Sequence, residues 1–276
     1  IYRARLDEIR AGLGARPSSG SRWGSPHSHE WFVLEWNDQR LAVHDRDVAA
    51  IIATHARDRR VAAWLHDTSK ALAEAGFPDL AIDWAREATE FDGGHQSRSA
   101  GDYWCGLLAI HRPAHVLAAR RSMFERWPSS GTAARLHAAA GRDWPNLQPE
   151  VMERLSSSPF DAVLFALLTL RDVEQAWTLA HDLGLSDRDT WTRLVKEYQK
   201  LDPLAVLPVL ATLVDGDLVK ADAGNYRIAA RRLRTMQKLA AGTEKAREVD
   251  ELVRALREEH RRRPRLQHEF DRAGLP

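Results

Sequence analysis

The chain has 276 residues, 44% hydrophobic and 29% charged, with a formal net charge of +1 at pH 7. That balance supports a folded chain with a sizeable buried core and excludes disordered and collagen-like classes. A single cysteine, Cys105, excludes a disulfide framework or a Cys-pair zinc site within the chain and fits a reducing cytoplasm.

No apolar run is long enough to span a membrane. The first residues lack the charged-then-apolar signal pattern, and the chain opens on Ile1 rather than Met, so it reads as a piece of a longer protein. Residues 1–44 are expected to form an N-terminal helix plus a flexible loop. Leu6, Ile9 and Leu13 share one side of the helix, and Gly14 to His29 is rich in Ser, Gly and Pro. The following WFVLEW run fits a short strand or a buried helical turn; it is taken as helical because all that follows is helical. Asp45 or Asp47 then caps a helix through Val48, Ile51, Ile52 and His55.

Residues 45–276 read as one helical-repeat domain. Its clearest unit is Ala62 to Phe91, two amphipathic helices around a tight turn. Leu65, Leu72 and Ala73 form the first stripe, widened by Trp64 and Ala71. Gly76 ends that helix and Pro78 begins the next. Ala81, Trp84, Ala85 and Ala88 follow at helical spacing. Leu65, Ser69, Leu72, Gly76, Ala81, Ala85 and Ala88 resemble the pattern of a tetratricopeptide unit, with Ala85 where a large residue is usual and Phe77-Pro78 replacing the acidic-aromatic pair. The resemblance implies an irregular all-α solenoid of antiparallel helical hairpins whose inner groove would receive His66, Lys70 and Glu74 and bind an extended peptide. A solvated face with a Lys70–Glu74 pair is the plainer reading of those residues.

Further along, Ser99 or Asp102 is expected to open a helix and Pro113 the one after it, ending at Trp127-Pro128. Ser158-Pro159 opens another. Asp172 begins a helix in which Ala176, Ala180 and Leu183 take the places of Ala81, Ala85 and Ala88, and Gly184 stops it. Ser186 with Asp189 resembles a capping box. Asp202-Pro203 opens a helix that Pro208 is expected to kink. Three helices complete the chain: Tyr226 to Ala241, Glu244 to His260 and Pro264 to Ala273. Trp64, Trp84, Trp177 and Trp191 read as core.

Charge divides the repeat domain. Residues 1–219 hold 25 Lys/Arg against 30 Asp/Glu, and residues 220–276 hold fifteen against nine. The part over 45–219 is mildly acidic, and the C-terminal helices are basic. On the helix from Tyr226, one side carries Tyr226, Ala229, Ala230, Leu233, Met236 and Ala240, and the opposite side Arg227, Arg231, Arg234 and Lys238. With Arg261, Arg262 and Arg263 these cations are a candidate anion-binding surface, although no aromatic residues interleave with them.

Catalytic signals are sparse. LHDTSK, with His66-Asp67, looks like the metal-binding signature of HD phosphohydrolases. Ser69 replaces that family's glycine, and His55 is too near to serve as its upstream histidine. His111 and His115 are four apart with Pro113 between them, and His27-Ser28-His29 lacks a third ligand. No cofactor or metal is expected.

From Asp161 onward, DVEQAW-x-LA, DPLAVLPV, YRIAARRLRTMQKLAAG and LREEHRRRPRLQHEFDRAGL together resemble the helical C-terminal region of actinobacterial proteins, some of which carry a SWIM-type zinc finger. The resemblance spans most of residues 45–276 and supports the helical fold. The finger motif itself, C-x-C…C-x-H, is absent, so its zinc or DNA role does not carry over. The expected function is a non-enzymatic scaffold or protein-interaction module, cytoplasmic, within a larger protein. A regulatory or nucleic-acid-associated domain using the C-terminal arginines is the alternative, and an HD-type metal phosphohydrolase comes third.

Overall fold

The computed structural model describes residues 2–13 and 28–276, and every regular element among them is helical. None of these helices is long and apolar enough to cross a membrane. The chain divides into two compact units, residues 1–127 and 128–276. The segment break expected at residue 44 falls inside the first unit, because α2 packs on α3 and α4 there. Gly14 to His27 lies outside the described residues.

The first unit contains α1 (Tyr2–Leu13), α2 (Ser28–His44), α3 (Val48–His55), α4 (Ala62–Glu74), α5 (Pro78–Glu90), α6 (His95–His111) and α7 (Val116–Arg126). WFVLEW is part of α2, as expected, and Asp47 caps α3 by accepting from the Ala50 N–H at 3.0 Å. The hairpin of α4 and α5 turns at Gly76, whose φ of 86° needs a residue without a Cβ. Leu65, Leu72, Ala81, Ala85 and Ala88 are all buried, and the Ser69 hydroxyl donates to the Ala81 carbonyl at 2.6 Å across the hairpin. Trp64 and Trp84 are half-buried at the margins of this contact.

Helix α6 begins at His95 rather than at Ser99 or Asp102. Asp92 explains the earlier start. Its carboxylate accepts from the Gly94 N–H at 2.8 Å and from the Ser97 hydroxyl at 2.7 Å, so the Asp-Gly-Gly turn leads straight into the helix. Pro113 opens a short 3-10 turn ahead of α7.

The second unit contains α8 (Ser130–Ala140), α9 (Trp144–Leu155), α10 (Pro159–Leu164) running on as a π-turn over Phe165–Leu170, α11 (Val173–Asp182), α12 (Arg188–Tyr198), α13 (Leu207–Leu218), α14 (Ala223–Ala240), α15 (Lys245–Glu259) and α16 (Pro264–Arg272). Ser158 and Asp172 cap α10 and α11 through the N–H groups of Asp161 and Gln175. Two expected starts shift. Asp187, not Ser186, caps α12, accepting from the Thr190 N–H at 2.7 Å. Asp202 accepts from the N–H groups of Leu204 and Ala205 and so shapes a turn instead of opening α13. Pro208 consequently sits in the first turn of α13, where its missing N–H breaks no helical bond and no kink is required. The apolar side expected for α14, Tyr226, Ala229, Ala230, Leu233, Met236 and Ala240, is buried, and it packs with Leu210 and Val214 of α13, Val253 of α15, and Phe270 of α16.

Candidate functional site

The row His66, Lys70 and Glu74 does not line one groove. A fourth-neighbour row on a helix drifts by about 40° per step, and α6 packs over the His66 end of it. His66 is buried, 5.1 Å from the Tyr103 ring of α6, and its Nε2 has no hydrogen-bond partner. Burial pushes the pKa of His66 down and that of Tyr103 up. Lys70 and Glu74 remain exposed but are not paired with each other: Lys70 lies 3.6 Å from Asp67, and Glu74 accepts two hydrogen bonds from Arg40 at 2.6 and 2.8 Å. Those bonds hold the Glu74 carboxyl below its usual range.

Lys70 and Glu74 do line a polar hollow of about 260 Å³, together with Arg40, His55, Arg57 and Asp67. Arg57 closes one side, with its guanidinium 5.1 Å over the Trp64 ring and 2.5 Å from Glu35. His55 turns Nδ1 to the Ile51 carbonyl at 3.0 Å, and burial lowers its pKa. His66 and Asp67 point to different sides of α4, so the HD-type pair does not converge. Among the described residues, no group of three or more His, Cys, Asp and Glu side chains is placed to hold a metal ion. His111 and His115 are exposed, at the end of α6 and in the 3-10 turn.

A larger concavity than this hollow lies in the second unit, where α11, α12 and α13 meet. It holds about 520 Å³ and is lined by His181, Leu185, Ser186, Arg188, Trp191, Pro208, Val209, Thr212, Leu213 and Gly216. Its aromatic wall is fixed by packing. The Trp191 indole N–H donates to the Leu185 carbonyl at 2.7 Å, and its ring meets Trp177 and His181 edge-on at 5.6 and 5.0 Å. Trp177 stacks on Tyr198 at 4.1 Å.

A charged cluster lies beside that wall. Asp217 is buried on the apolar stripe of α13 that includes Leu210, Leu213, Val214 and Leu218. Its carboxylate contacts two guanidiniums, Arg188 at 2.5 Å and Arg232 at 2.9 Å. Arg188 also donates to the Leu213 carbonyl at 2.8 Å, and Arg232 to the Thr192 hydroxyl at 3.0 Å. Burial lowers the pKa of Arg232, opposed by the charge of Asp217. A Cβ on Gly216 would stand 2.9 Å from the Arg188 guanidinium carbon, so this glycine makes room for the cation. None of these residues was singled out in the sequence as a site. The available signal was a carboxylate on a helix stripe that is otherwise Leu and Val, a position that calls for a buried cationic partner.

The basic face of α14 is present: Arg227, Arg231, Arg234 and Lys238 are all exposed. Part of its hydrogen-bonding capacity is already taken, since Arg227 is 4.0 Å from Glu269 and Arg234 donates to Gln237. Arg261 pairs with Glu258, and Arg263 donates to the Leu218 carbonyl at 2.8 Å, which leaves Arg262 as the exposed member of that cluster without a bonded partner among the described residues.

A scan against protein-family models finds no match for this chain, and a search of curated proteins finds no significant match.

Proposed function

We propose that the chain is a non-enzymatic helical-repeat module, a tetratricopeptide-like α-solenoid, that docks partner proteins. The observation that carries this reading is the groove of about 520 Å³ between α11, α12 and α13, with apolar walls, a fixed tryptophan and one cation at its edge. Concave apolar sites with a few oriented polar groups are what recognition surfaces are built from. The hairpin of α4 and α5 supports the repeat assignment, because Leu65, Ser69, Leu72, Ala81, Ala85 and Ala88 are buried and Gly76 forms the turn. The resemblance to the helical region of SWIM zinc finger-associated proteins supports the helical fold of such a module rather than its activity.

A photo-crosslinking residue at Thr212, on the groove, and another at Arg247, exposed on α15, test the reading in a nuclease-treated lysate. A protein adduct formed from position 212 and not from position 247 is the expected result. Equal labelling from both positions contradicts it.

The second reading is nucleic-acid association through Arg227, Arg231, Arg234 and Lys238. The observation favouring it is that all four are exposed on one face of α14. It requires DNA or RNA binding that weakens steeply with salt and is lost when Arg231 and Arg234 become Ala.

A further inference from the structure

We infer that the groove of the second unit takes a short peptide segment of a partner protein, in which a leucine or aromatic side chain stands beside a carboxylate. This rests on the docking function proposed above and specifies the chemistry of the occupant.

Charge balance is the basis. Arg188 and Arg232 share a single carboxylate, Asp217, so the cluster keeps one positive charge in excess. Asp189 is a further acid whose charge acts on Arg232, and it is exposed to solvent. Arg232 is mostly buried, whereas the Arg188 side chain is 47% exposed and lines the groove, so the excess charge is presented there. The bonds of Arg188 to Asp217 and Leu213 both use Nη2, which leaves Nε, packed against Gly216, and Nη1 without a hydrogen-bond partner among the described residues. The hydroxyl of Ser186 and the imidazole of His181 line the same groove, and no acidic side chain does. Asp187, which precedes Arg188, is turned to the Thr190 N–H as the cap of α12.

Apart from Thr212, the rest of the groove is apolar. Leu185, Trp191, Pro208, Val209 and Leu213 provide a surface for one large side chain, with the cation at its edge. An arginine already held by a buried carboxylate and packed on Gly216 is preorganised, so a carboxylate ligand gains a charge-assisted bond without first ordering a flexible side chain. The groove is partly open to solvent rather than enclosed, which suits a chain that enters and leaves it better than a fully enclosed acyl tail.

The test is selection of a displayed library of random ten-residue peptides on the full chain, followed by binding measurements on the wild type, Arg188→Gln and Thr212→Trp. Thr212 is exposed, so the tryptophan fills the groove without entering the core, and melting curves confirm that both variants fold. The expected result is peptides with Asp or Glu within two residues of Leu, Phe or Trp, bound about tenfold or more weakly by Arg188→Gln and blocked by Thr212→Trp. Peptides that are only apolar, blocked by Thr212→Trp but bound equally by Arg188→Gln, overturn the carboxylate inference and leave the docking groove standing. Selection of no peptide that Thr212→Trp blocks overturns both. Displacement of every selected peptide by micromolar dodecanoate, with dodecanoate itself bound more tightly, overturns the peptide assignment in favour of an acyl chain.

Discussion

Replacing Asp217 with Asn is the sharpest test of the charge cluster beside the groove. The amide keeps the volume of the side chain and removes its charge. Arg232, whose side chain is only 15% exposed, is then left without its counter-charge, whereas Arg188 at 47% exposure can turn to water. Breaking a buried pair from one side costs about 3–5 kcal/mol. The partial exposure of both guanidiniums places this substitution at the lower end, about 3 kcal/mol. For a unit of this size that corresponds to a fall of roughly 6–12 °C in its transition. Urea titration read by amide exchange in α13 and α14 isolates the second unit from the first. The double variant Asp217→Leu with Arg232→Met removes both buried charges and is expected to stay within about 1 kcal/mol of the wild type. A loss under about 1 kcal/mol for the single variant, or an equal loss for the double variant, refutes the reasoning.

Three further outcomes follow from the packing. Burial holds the pKa of His66 below its unfolded value in the folded chain, so the unfolded chain takes up the proton first as pH drops below about 6.5. Stability of the first unit therefore declines from there down through the folded pKa. His66→Leu should flatten that slope in pH-dependent melts; His55, also lowered by burial, keeps part of it, and an unchanged slope counts against the assignment. Gly76→Ala should destabilise the α4–α5 hairpin by about 1–2 kcal/mol, chiefly through its φ of 86°, since the nearest atom to a new Cβ is the movable Arg46 guanidinium. Leu233→Ala, at a fully buried position on α14, should cost about 3–4 kcal/mol in chemical denaturation of the second unit.

Much of the helical layout was legible because it depends on local chemistry. Asp47, Gly76, Pro78, Ser158, Asp172 and Gly184 mark boundaries by satisfying or ending the backbone hydrogen bonds of one helix, and neighbouring residues suffice for that. The face of α14 was legible for the same reason, through its strict helical period. Where two residues compete for one role, local pattern is ambiguous. Asp187 won the cap over Ser186, and Asp92 with Ser97 started α6 a turn early.

The candidate sites were less legible because they depend on which helix covers which. His66 shares a row with Lys70 and Glu74 in sequence, but α6 lies over it and brings Tyr103 against its ring. Glu74 pairs with Arg40, 34 residues away, rather than with Lys70. The Arg188–Asp217–Arg232 cluster joins three helices, and no spacing rule on one of them reveals it. The apolar stripe around Asp217 shows that a partner is needed but not which arginine supplies it.

The most direct measurement of the docking claim is the affinity of the Thr212-crosslinked protein partner for purified wild-type chain and for Thr212→Trp, by titration calorimetry at physiological salt. The account predicts at least a tenfold loss of affinity with an unchanged melting transition. Equal affinity for the two proteins would contradict it, because the groove would then not be where the partner binds.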